Sequence, residues 1–277
     1  MCTTCGCSDG ATVSVTHLES GKQTVLPRPQ FGEGLHGHEH HSHGHEHHSH
    51  GHEHGPSVIS LEQSLLARND ALAQRNRGWF EGRQVLTLNL VSSPGSGKTT
   101  LLERTLVDLR SEFGLAVIEG DQATLHDAER IRKTGCDVIQ VNTGTGCHLE
   151  ADMVMNGVRQ LKIAPESVLF IENVGNLVCP ALFDLGEAAK VAILSVTEGE
   201  DKPLKYPHMF RASRVMLLNK TDLLPHLDFD VERCVDYARQ VNPELEVLQV
   251  SARTGEGMDS WYTWIRREYQ QLLDLQG

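Results

Sequence analysis

The fold of this chain is decided by residues 92–99, Ser92-Ser93-Pro94-Gly95-Ser96-Gly97-Lys98-Thr99. An apolar run, Val85–Val91, comes directly before them, and Thr100-Leu101-Leu102 begins a helical pattern directly after them. A glycine-rich turn between a strand and a helix lets backbone N–H groups converge on a phosphate at the helix N-terminus. The sequence therefore predicts a phosphate-binding loop, and an ordinary glycine-rich turn is the less favoured alternative.

Two side chains of this loop have predictable chemistry. The Lys98 ammonium would lie against the β- and γ-phosphates, and the Thr99 hydroxyl would ligate Mg²⁺. Ser92 stands where the common pattern has its first glycine, but that position mainly ends the strand. The predicted nucleotide contacts in the loop are Pro94, Gly95, Ser96, Gly97, Lys98, Thr99 and Thr100.

A second motif, Asn219-Lys220-Thr221-Asp222, ends a later apolar run. In such a tetrad the aspartate carboxylate would accept hydrogen bonds from N1 and N2 of guanine, a pair of donors that adenine does not offer. The pattern alone is common by chance, but a further strand leads into Ser251-Ala252-Arg253, where G proteins bind the guanine carbonyl. The combination favours GTP over ATP and adds Asn219, Lys220, Asp222, Ser251 and Ala252 to the predicted nucleotide contacts.

A carboxylate follows the apolar run Val168–Ile171, with Gly175 three residues beyond it. This carboxylate, Glu172, resembles the aspartate of the D-x-x-G loop that senses Mg²⁺ and the γ-phosphate, although glutamate has a longer reach. Asp121 is a second candidate for the metal or the attacking water. We assign Lys98, Thr99, Asp121 and Glu172 to catalysis. Because the sequence reveals neither a water-orienting glutamine nor an arginine finger, we expect slow intrinsic GTP hydrolysis.

Short apolar runs alternate with helical patterns through the rest of the chain. The candidate strands are Val85–Val91, Leu115–Glu119, Val138–Val141, Val168–Glu172, Val191–Val196, Val215–Asn219 and Glu246–Val250. Helices are predicted from Ser60 to about Gly78 and to begin near Lys98, Leu125, Leu149, Asp230 and Met258. Strands that are apolar throughout indicate a parallel sheet covered on both faces. We therefore predict an α/β fold, a three-layer P-loop NTPase with a mostly parallel sheet, as a domain covering residues 57–277.

Three cysteines, Cys2, Cys5 and Cys7, lie within the first seven residues. Three thiolates and the α-amine suit square-planar Ni²⁺, whereas Zn²⁺ normally takes four tetrahedral ligands. We predict a metal motif at residues 1–8; incidental cysteines in a disordered terminus are the alternative.

Residues 9–56 are rich in glycine and histidine, and eleven of the nineteen residues from His36 to His54 are histidine. With little apolar surface to bury, this segment is predicted to be a disordered linker. It could buffer Ni²⁺, Zn²⁺ or Cu²⁺; an engineered tag is the alternative, disfavoured by its irregular repeats.

A third candidate metal site consists of Cys147, His148 and Cys179. The first two follow one predicted strand and the third follows the Glu172–Gly175 loop, so both segments leave carboxyl ends of strands and can meet near the γ-phosphate. Nickel or zinc could bind there, although water or a second subunit must complete a zinc site. Alternatively, both cysteines are small buried hydrophobic residues.

The overall charge excludes some classes of partner. A formal net charge of −12 argues against sequence-independent binding to nucleic acid or to an anionic membrane. No apolar run approaches the roughly 20 residues that span a bilayer, and residues 1–10 do not resemble a signal peptide. We therefore expect a soluble protein with neither nucleic acid nor membrane as a partner.

Together these motifs resemble the HypB family of hydrogenase nickel-incorporation GTPases. The resemblance also includes Gly120-Asp121-Gln122-Ala123-Thr124 and Glu172-Asn173-Val174-Gly175-Asn176. It implies a cytoplasmic protein that passes nickel to a hydrogenase large-subunit precursor, with a small nickel-binding accessory protein and a proline isomerase-type chaperone as partners. It further implies a homodimer formed around nucleotide or metal, and assigns the metal to Cys2, Cys5, Cys7, Cys147, His148 and Cys179.

Three other functions remain as alternatives at this point. A small-molecule kinase would prefer ATP, which the guanine tetrad disfavours. A urease-type nickel GTPase usually carries its ligands together as Cys-Pro-His, whereas Cys147-His148 and Cys179-Pro180 are separate here. A metal storage protein would use the GTPase domain only as a scaffold.

Overall fold

The computed structural model describes residues 13–26, 58–121, 126–144 and 146–274. The predicted cysteine motif at residues 1–8 and the histidine tract at 36–54 lie outside the described residues. Within the described ranges, no helix combines the length and apolarity needed to cross a bilayer.

Strands and helices alternate along most of the described chain. The strands are β1 Val13–His17, β2 Lys22–Leu26, β3 Val85–Ser92, β4 Gly114–Asp121, β5 Asp137–Asn142, β6 Ser167–Glu172, β7 Ala189–Ser195, β8 Ser213–Asn219 and β9 Glu246–Gln249. The helices are α1 Val58–Glu81, α2 Lys98–Leu109, α3 His126–Arg132, α4 Ala151–Gln160, α5 Cys179–Leu182, α6 Lys202–Lys205, α7 Pro207–Ala212, α8 Val231–Val241 and α9 Met258–Asp274. A 3₁₀ turn covers Thr221–His226.

One sheet contains all the strands of the described residues, in the order β2-β1-β5-β4-β6-β3-β7-β8-β9. The strands from β3 to β9 pair in parallel, whereas β1 pairs antiparallel with both β2 and β5. Because β3 lies in the middle of the sheet, its carboxyl end places the phosphate-binding loop at the centre of one sheet edge.

Helices cover both faces of the sheet. On one face, Leu106 of α2 and Trp261 of α9 pack in a single buried cluster with Val117 of β4. On the other face, Phe80 of α1 packs in a cluster with Ile118, the next residue of β4. Because successive strand residues point to opposite faces and both faces are covered, the central strands are buried and apolar along most of their length. The predicted three-layer α/β fold with a mostly parallel sheet is confirmed.

Residues 13–26 differ from the predicted disordered linker, because they form a β-hairpin that extends the sheet. Val13 and Val15 are buried, and β1 pairs with β5 from Ser14–Asn142 to His17–Ile139. Gly21 in the connecting turn has a φ of 64°, which glycine adopts without strain. The short alternation Val-Ser-Val-Thr is a strand signal that the surrounding glycine- and histidine-rich composition conceals. The sheet therefore begins before residue 57, the predicted domain boundary.

Candidate nucleotide and metal site

The phosphate-binding loop needs glycine where its backbone turns back. Gly95 and Gly97 have φ values of 77° and 91°, in the left-handed region that side chains with a Cβ rarely adopt. A Cβ on Gly97 would also lie 2.7 Å from Nδ2 of Asn219. Backbone geometry and close packing against the guanine tetrad therefore both require glycine at position 97.

A cavity of about 570 Å³ opens above this loop. Its lining includes the predicted loop residues together with Asp121 and Gly175. It also includes side chains that the sequence analysis did not single out: Glu119, Asp127 and Arg130. The cavity has the phosphate loop as its floor and the ends of β3 and β4 as its walls, as expected of a site for a polyphosphate.

Three of the residues assigned to catalysis meet at one carboxylate oxygen. The Lys98 ammonium lies 2.8 Å from Oε1 of Glu172, and the Thr99 hydroxyl donates to the same oxygen at 2.6 Å. The second oxygen, Oε2, is buried and has no hydrogen-bond partner among the described residues. Hydroxyl and carboxylate oxygens are donors that Mg²⁺ prefers, so this pair of side chains fits the ion.

Asp121, the fourth of these residues, ends β4 and lines the same cavity. Its backbone carbonyl accepts a hydrogen bond from the Thr143 amide at 2.9 Å, which ties the ends of β4 and β5 together. Residues 122–125 lie outside the described residues, and they include Gln122-Ala123-Thr124, the rest of the predicted Gly-Asp-Gln-Ala-Thr motif.

Glu119, two residues before Asp121, is a buried carboxyl group in the cavity wall. Burial, together with the charges of Glu172 and Asp121, raises the pKa of Glu119 to about 9. The sequence does not reveal this, because Glu119 simply ends an apolar run, and only the pairing of β4 with β6 brings it beside Glu172.

The guanine tetrad is attached to the phosphate loop by its first two residues. Asn219 Nδ2 donates to the Ser96 carbonyl at 3.0 Å, and Lys220 Nζ donates to the Gly95 carbonyl at 2.7 Å. On its other side, Asn219 Oδ1 accepts from the Ala252 amide at 3.2 Å. Asn219 therefore fixes the relative positions of three loops that converge on the site.

The last residue of the tetrad is held by the loop after β9. The Ser251 hydroxyl donates to Asp222 Oδ1 at 2.6 Å, and the Thr254 amide donates to the Ser251 oxygen at 3.1 Å. This arrangement orients the Asp222 carboxylate, as recognition of a base edge requires. The predicted nucleotide contacts therefore occupy adjoining loops at the carboxyl ends of β3, β8 and β9.

Cys147, His148 and Cys179 come together close to this site. One potential ligand atom from each lies within 4.8 Å of the others. Burial lowers the pKa of His148 to about 4, so its imidazole is neutral at pH 7 and available to a metal. Two sulfur atoms and one imidazole suit borderline-soft divalent ions such as nickel or zinc.

Contacts around His148 hold the imidazole in place. Its ring packs on Phe183 with ring centres 3.9 Å apart, and Nδ1 lies 3.6 Å from the Cys147 sulfur. The other nitrogen, Nε2, is buried and has no hydrogen-bond partner in the described part of the chain; Glu150 Oε1 is 3.9 Å away. An imidazole nitrogen buried without a hydrogen bond costs free energy that a metal would recover.

One loop joins the phosphate site to this cluster. It runs from Glu172, the partner of Lys98, to Cys179, and a Cβ on Gly175 would lie only 3.2 Å from backbone atoms of Pro94. Asn173 Oδ1 accepts from the Leu149 amide at 3.2 Å, next to His148 in the chain. A single short segment with buried contacts therefore connects the two sites.

The structure also places an arginine beside the phosphate cavity, although the sequence revealed none. Arg130 of α3 pairs with Glu103 and Asp127 and donates to the Thr100 hydroxyl at 3.0 Å. No sequence motif indicates that Arg130 lies near the phosphate-binding loop, because the two are brought together only by the packing of α3 in the folded protein.

Comparison with known proteins agrees with this geometry. Residues 86–249 match the family model described as CobW/HypB/UreG, nucleotide-binding domain. The hydrogenase maturation factor HypB of Azotobacter chroococcum mcd 1 is 52% identical, over 97% of this chain and 92% of its own length. The factor of the same name from Escherichia coli (strain K12) is 51% identical, over 97% and 99% of the two chains.

Solved structures show the same relationship. The crystal structure of HypB from Helicobacter pylori in complex with nickel superposes with a TM-score of 0.71 and 36% identity, covering 74% of this chain and 96% of that one. Sequence matches over nearly the whole length and a shared fold establish the relationship. The chain therefore belongs to the family of the hydrogenase maturation factor HypB and carries the nucleotide-binding domain of that family.

Proposed function

We propose that this protein hydrolyses GTP slowly and uses the nucleotide cycle to control nickel held by Cys147, His148 and Cys179 during hydrogenase maturation. The observation that carries the proposal is the Glu172–Cys179 segment, which ends at the phosphate site on one side and at the cysteine–histidine cluster on the other. A nucleotide that draws Lys98 away from Glu172 changes the contacts of this segment. The nickel affinity of the cysteine–histidine cluster then differs between the GTP-bound and GDP-bound states, which is what a nucleotide-controlled switch requires.

The side chains support a guanine nucleotide with Mg²⁺. The Ser251 hydroxyl donates to Asp222, which would bind the base, and Lys98 lines the cavity, where it would bind the phosphates. Thr99, Glu172 and Asp121 would hold Mg²⁺, which neutralises charge that develops on the phosphate oxygens. Arg130 lines the cavity but is paired with Glu103 and Asp127, so we expect a slow intrinsic rate of hydrolysis.

The donor set supports nickel as cargo. The crystallised H. pylori relative was solved in complex with nickel, and Cys147, His148 and Cys179 offer the sulfur and nitrogen donors that Ni²⁺ accepts. Zn²⁺ also accepts these donors. Three ligands leave a coordination position for water or a transfer partner, which suits temporary binding better than storage.

We extend the proposal to residues outside the described part of the chain. Cys2, Cys5 and Cys7 would form a separate nickel site at residues 1–8, and the tract at 36–54 would hold nickel more weakly through its imidazoles. The linker would then bring nickel to the site near the nucleotide.

Membership of the HypB family supports the proposed assembly and location. The protein would work in the cytoplasm as a homodimer formed on nucleotide or metal binding. Its partners would be a small nickel-binding accessory protein, a proline isomerase-type chaperone and a hydrogenase large-subunit precursor. Val178 and Leu182, on either side of Cys179, are 40% and 50% exposed and offer apolar contact area beside the cluster.

Nucleotide hydrolysis by the purified full chain tests the enzymatic half of this proposal. GTP should be hydrolysed in preference to ATP, and Lys98→Ala should lower kcat/KM by about 100-fold or more, because the phosphates lose a positioned cation. Lys162→Ala, at an exposed position outside the cavity, is the matched control and should leave the rate unchanged. Equal turnover of ATP and GTP would exclude the guanine assignment.

Hydrogenase activity in cells tests the nickel half. Cys147→Ala should lower hydrogenase activity at limiting nickel, and excess nickel in the medium should restore part of it. A Cys147→Ala strain with full activity at limiting nickel would remove the cluster from nickel delivery.

A further inference from the structure

A row of buried polar side chains crosses the sheet beneath the phosphate loop. Glu119 of β4 is paired in register with Gln140 of β5 on one side and with Glu172 of β6 on the other. Residues paired in register project from the same face of a parallel sheet. All three are buried, and the two carboxyl groups are only 2% and 1% exposed.

The two carboxyl groups differ in their partners. Glu172 Oε1 is bound by Lys98 and Thr99, whereas Glu119 is hydrogen-bonded by the Gln140 side chain. On each carboxyl group Oε2 is buried and has no hydrogen-bond partner within the described ranges. Two buried carboxyl oxygens left without donors, side by side, destabilise the empty protein, and such groups are retained where a ligand compensates them.

The cation that interacts with Glu119 and Glu172 would also be needed by the phosphates of a bound nucleotide. Of the cations that line the cavity, Arg130 pairs with Glu103 and Asp127, and Lys220 donates to a loop carbonyl. That leaves Lys98 as the cation that interacts with both Glu119 and Glu172. When a triphosphate draws Lys98 toward its own oxygens, both carboxyl groups lose that interaction. A divalent cation bound at the same moment would replace it.

We propose that Glu119 is a positioning residue for the divalent cation of the nucleotide site. Its Oε2 accepts a hydrogen bond from water on the Mg²⁺ that Thr99 and Glu172 hold, and so orients that ion against the phosphates. The inference rests on the proposed binding of Mg²⁺ with GTP and adds a residue for which no sequence motif provides a signal. Removing such an outer hydrogen-bond partner typically costs about 10- to 100-fold in metal affinity.

The test combines two measurements on full-length Glu119→Gln. The first is the Kd of a non-hydrolysable GTP analogue in EDTA and in Mg²⁺, and the second is the Tm of the nucleotide-free protein. The gain in affinity on adding Mg²⁺ should fall by about 10-fold, because Gln does not accept from metal-bound water with the strength of a carboxylate. The Tm should rise by about 2–4 °C, because the variant keeps the contact with Gln140 and removes a buried carboxyl group from beside Glu172.

The opposite directions of these two effects separate a positioning role from a structural one. Glu268 is a matched control: it is 4% exposed, and Arg214 and Arg267 pair with it outside the cavity. Glu268→Gln should lower the Tm and leave the gain from Mg²⁺ unchanged. Glu119→Asp, which keeps the carboxyl group but shortens the side chain, should reduce the gain from Mg²⁺ without raising the Tm.

The possible outcomes distinguish failure of the inference from failure of the proposed function. An unchanged gain from Mg²⁺ in Glu119→Gln overturns the inference while leaving GTP binding intact. A wild-type protein that binds the analogue no better in Mg²⁺ than in EDTA overturns both the inference and the proposed function. A normal gain in the wild type without GTP turnover contradicts only the proposed GTPase.

Discussion

Asn173 Oδ1 accepts a hydrogen bond from the backbone amide of Leu149 at 3.2 Å. Asn173 directly follows Glu172, the partner of Lys98, and Leu149 directly follows His148 of the metal cluster. The same side chain donates through Nδ2 to Asn89 Oδ1 at 3.2 Å, which anchors it to the central strand β3. A buried amide thus joins the loop after β6 to the loop that carries two of the three potential metal ligands.

Removing this amide should uncouple the two sites. Asn173→Ala leaves the Leu149 amide without its acceptor, so the free energy of unfolding should fall by about 1–3 kcal/mol. Nickel affinity should then lose its dependence on GTP, while nickel still binds. Calorimetric titration of the variant in each nucleotide state measures this.

Asn242→Ala is the matched control for Asn173→Ala. Asn242 Nδ2 donates to the Phe210 and Ser213 carbonyls, away from both sites, at 3.2 and 3.0 Å. This variant should lose comparable stability and keep the dependence of nickel affinity on GTP. If both variants respond to GTP as the wild type does, coupling does not pass through Asn173.

Gly97 should not tolerate a side chain. Gly97→Ala places a Cβ 2.7 Å from Asn219 Nδ2 at a φ of 91°, so the loop must shift away from the tetrad. We expect GTP affinity to fall by about 10-fold or more, equivalent to about 1.4 kcal/mol. In Gly78→Ala, within α1, the new methyl group meets nothing within 4 Å. That control should gain about 0.5–1 kcal/mol of stability and bind GTP normally.

His148 should make the metal-free protein sensitive to acid. Burial lowers the pKa of His148 from 6.5 to about 4, so the unfolded imidazole takes up its proton at a higher pH than the folded one. Stability should therefore fall as the pH falls from 6.5 to about 4, with a contribution of about 1–3 kcal/mol from this residue. Urea unfolding in EDTA across this pH range should show that the free energy of unfolding falls less steeply with pH in His148→Gln than in the wild type. Equal slopes for the two proteins would mean that His148 is protonated equally in the folded and unfolded states.

The parts of the fold that were predictable from sequence have local signals. Val168–Ile171 and Val215–Leu218 are apolar throughout, and both lie in buried parallel strands at the predicted positions. The predicted helix starts at Lys98 and Met258 are confirmed, because a phosphate loop and a glycine-rich turn mark them. Short helices such as α5 and α6 were not predicted, since four residues carry too little periodicity.

The sequence predicted the candidate site only for residues that directly follow the carboxyl ends of parallel strands, because those strand ends lie together at one edge of the sheet. Cys147 and Cys179 come together because each follows the carboxyl end of a parallel strand, which is a property of the fold class. The positions of Glu119 and Arg130 beside the cavity depend on strand register and on the packing of α3, neither of which has a local signature. The hairpin at 13–26 was not predicted, because its short alternation lies within a glycine- and histidine-rich segment and its partner β5 lies far along the chain.

The central claim is that nucleotide and nickel influence one another through the Glu172–Cys179 loop. The most direct test measures the Ni²⁺ affinity of the chain with Cys2, Cys5 and Cys7 replaced by alanine and the histidine tract at 36–54 deleted, so that the proposed nickel sites are reduced to the cluster near the nucleotide. Keeping residues 13–26 preserves the sheet. We predict affinities that differ by about 5-fold or more between the GDP state and the Mg²⁺-bound state of a non-hydrolysable GTP analogue. Equal affinities in the two states would contradict the account.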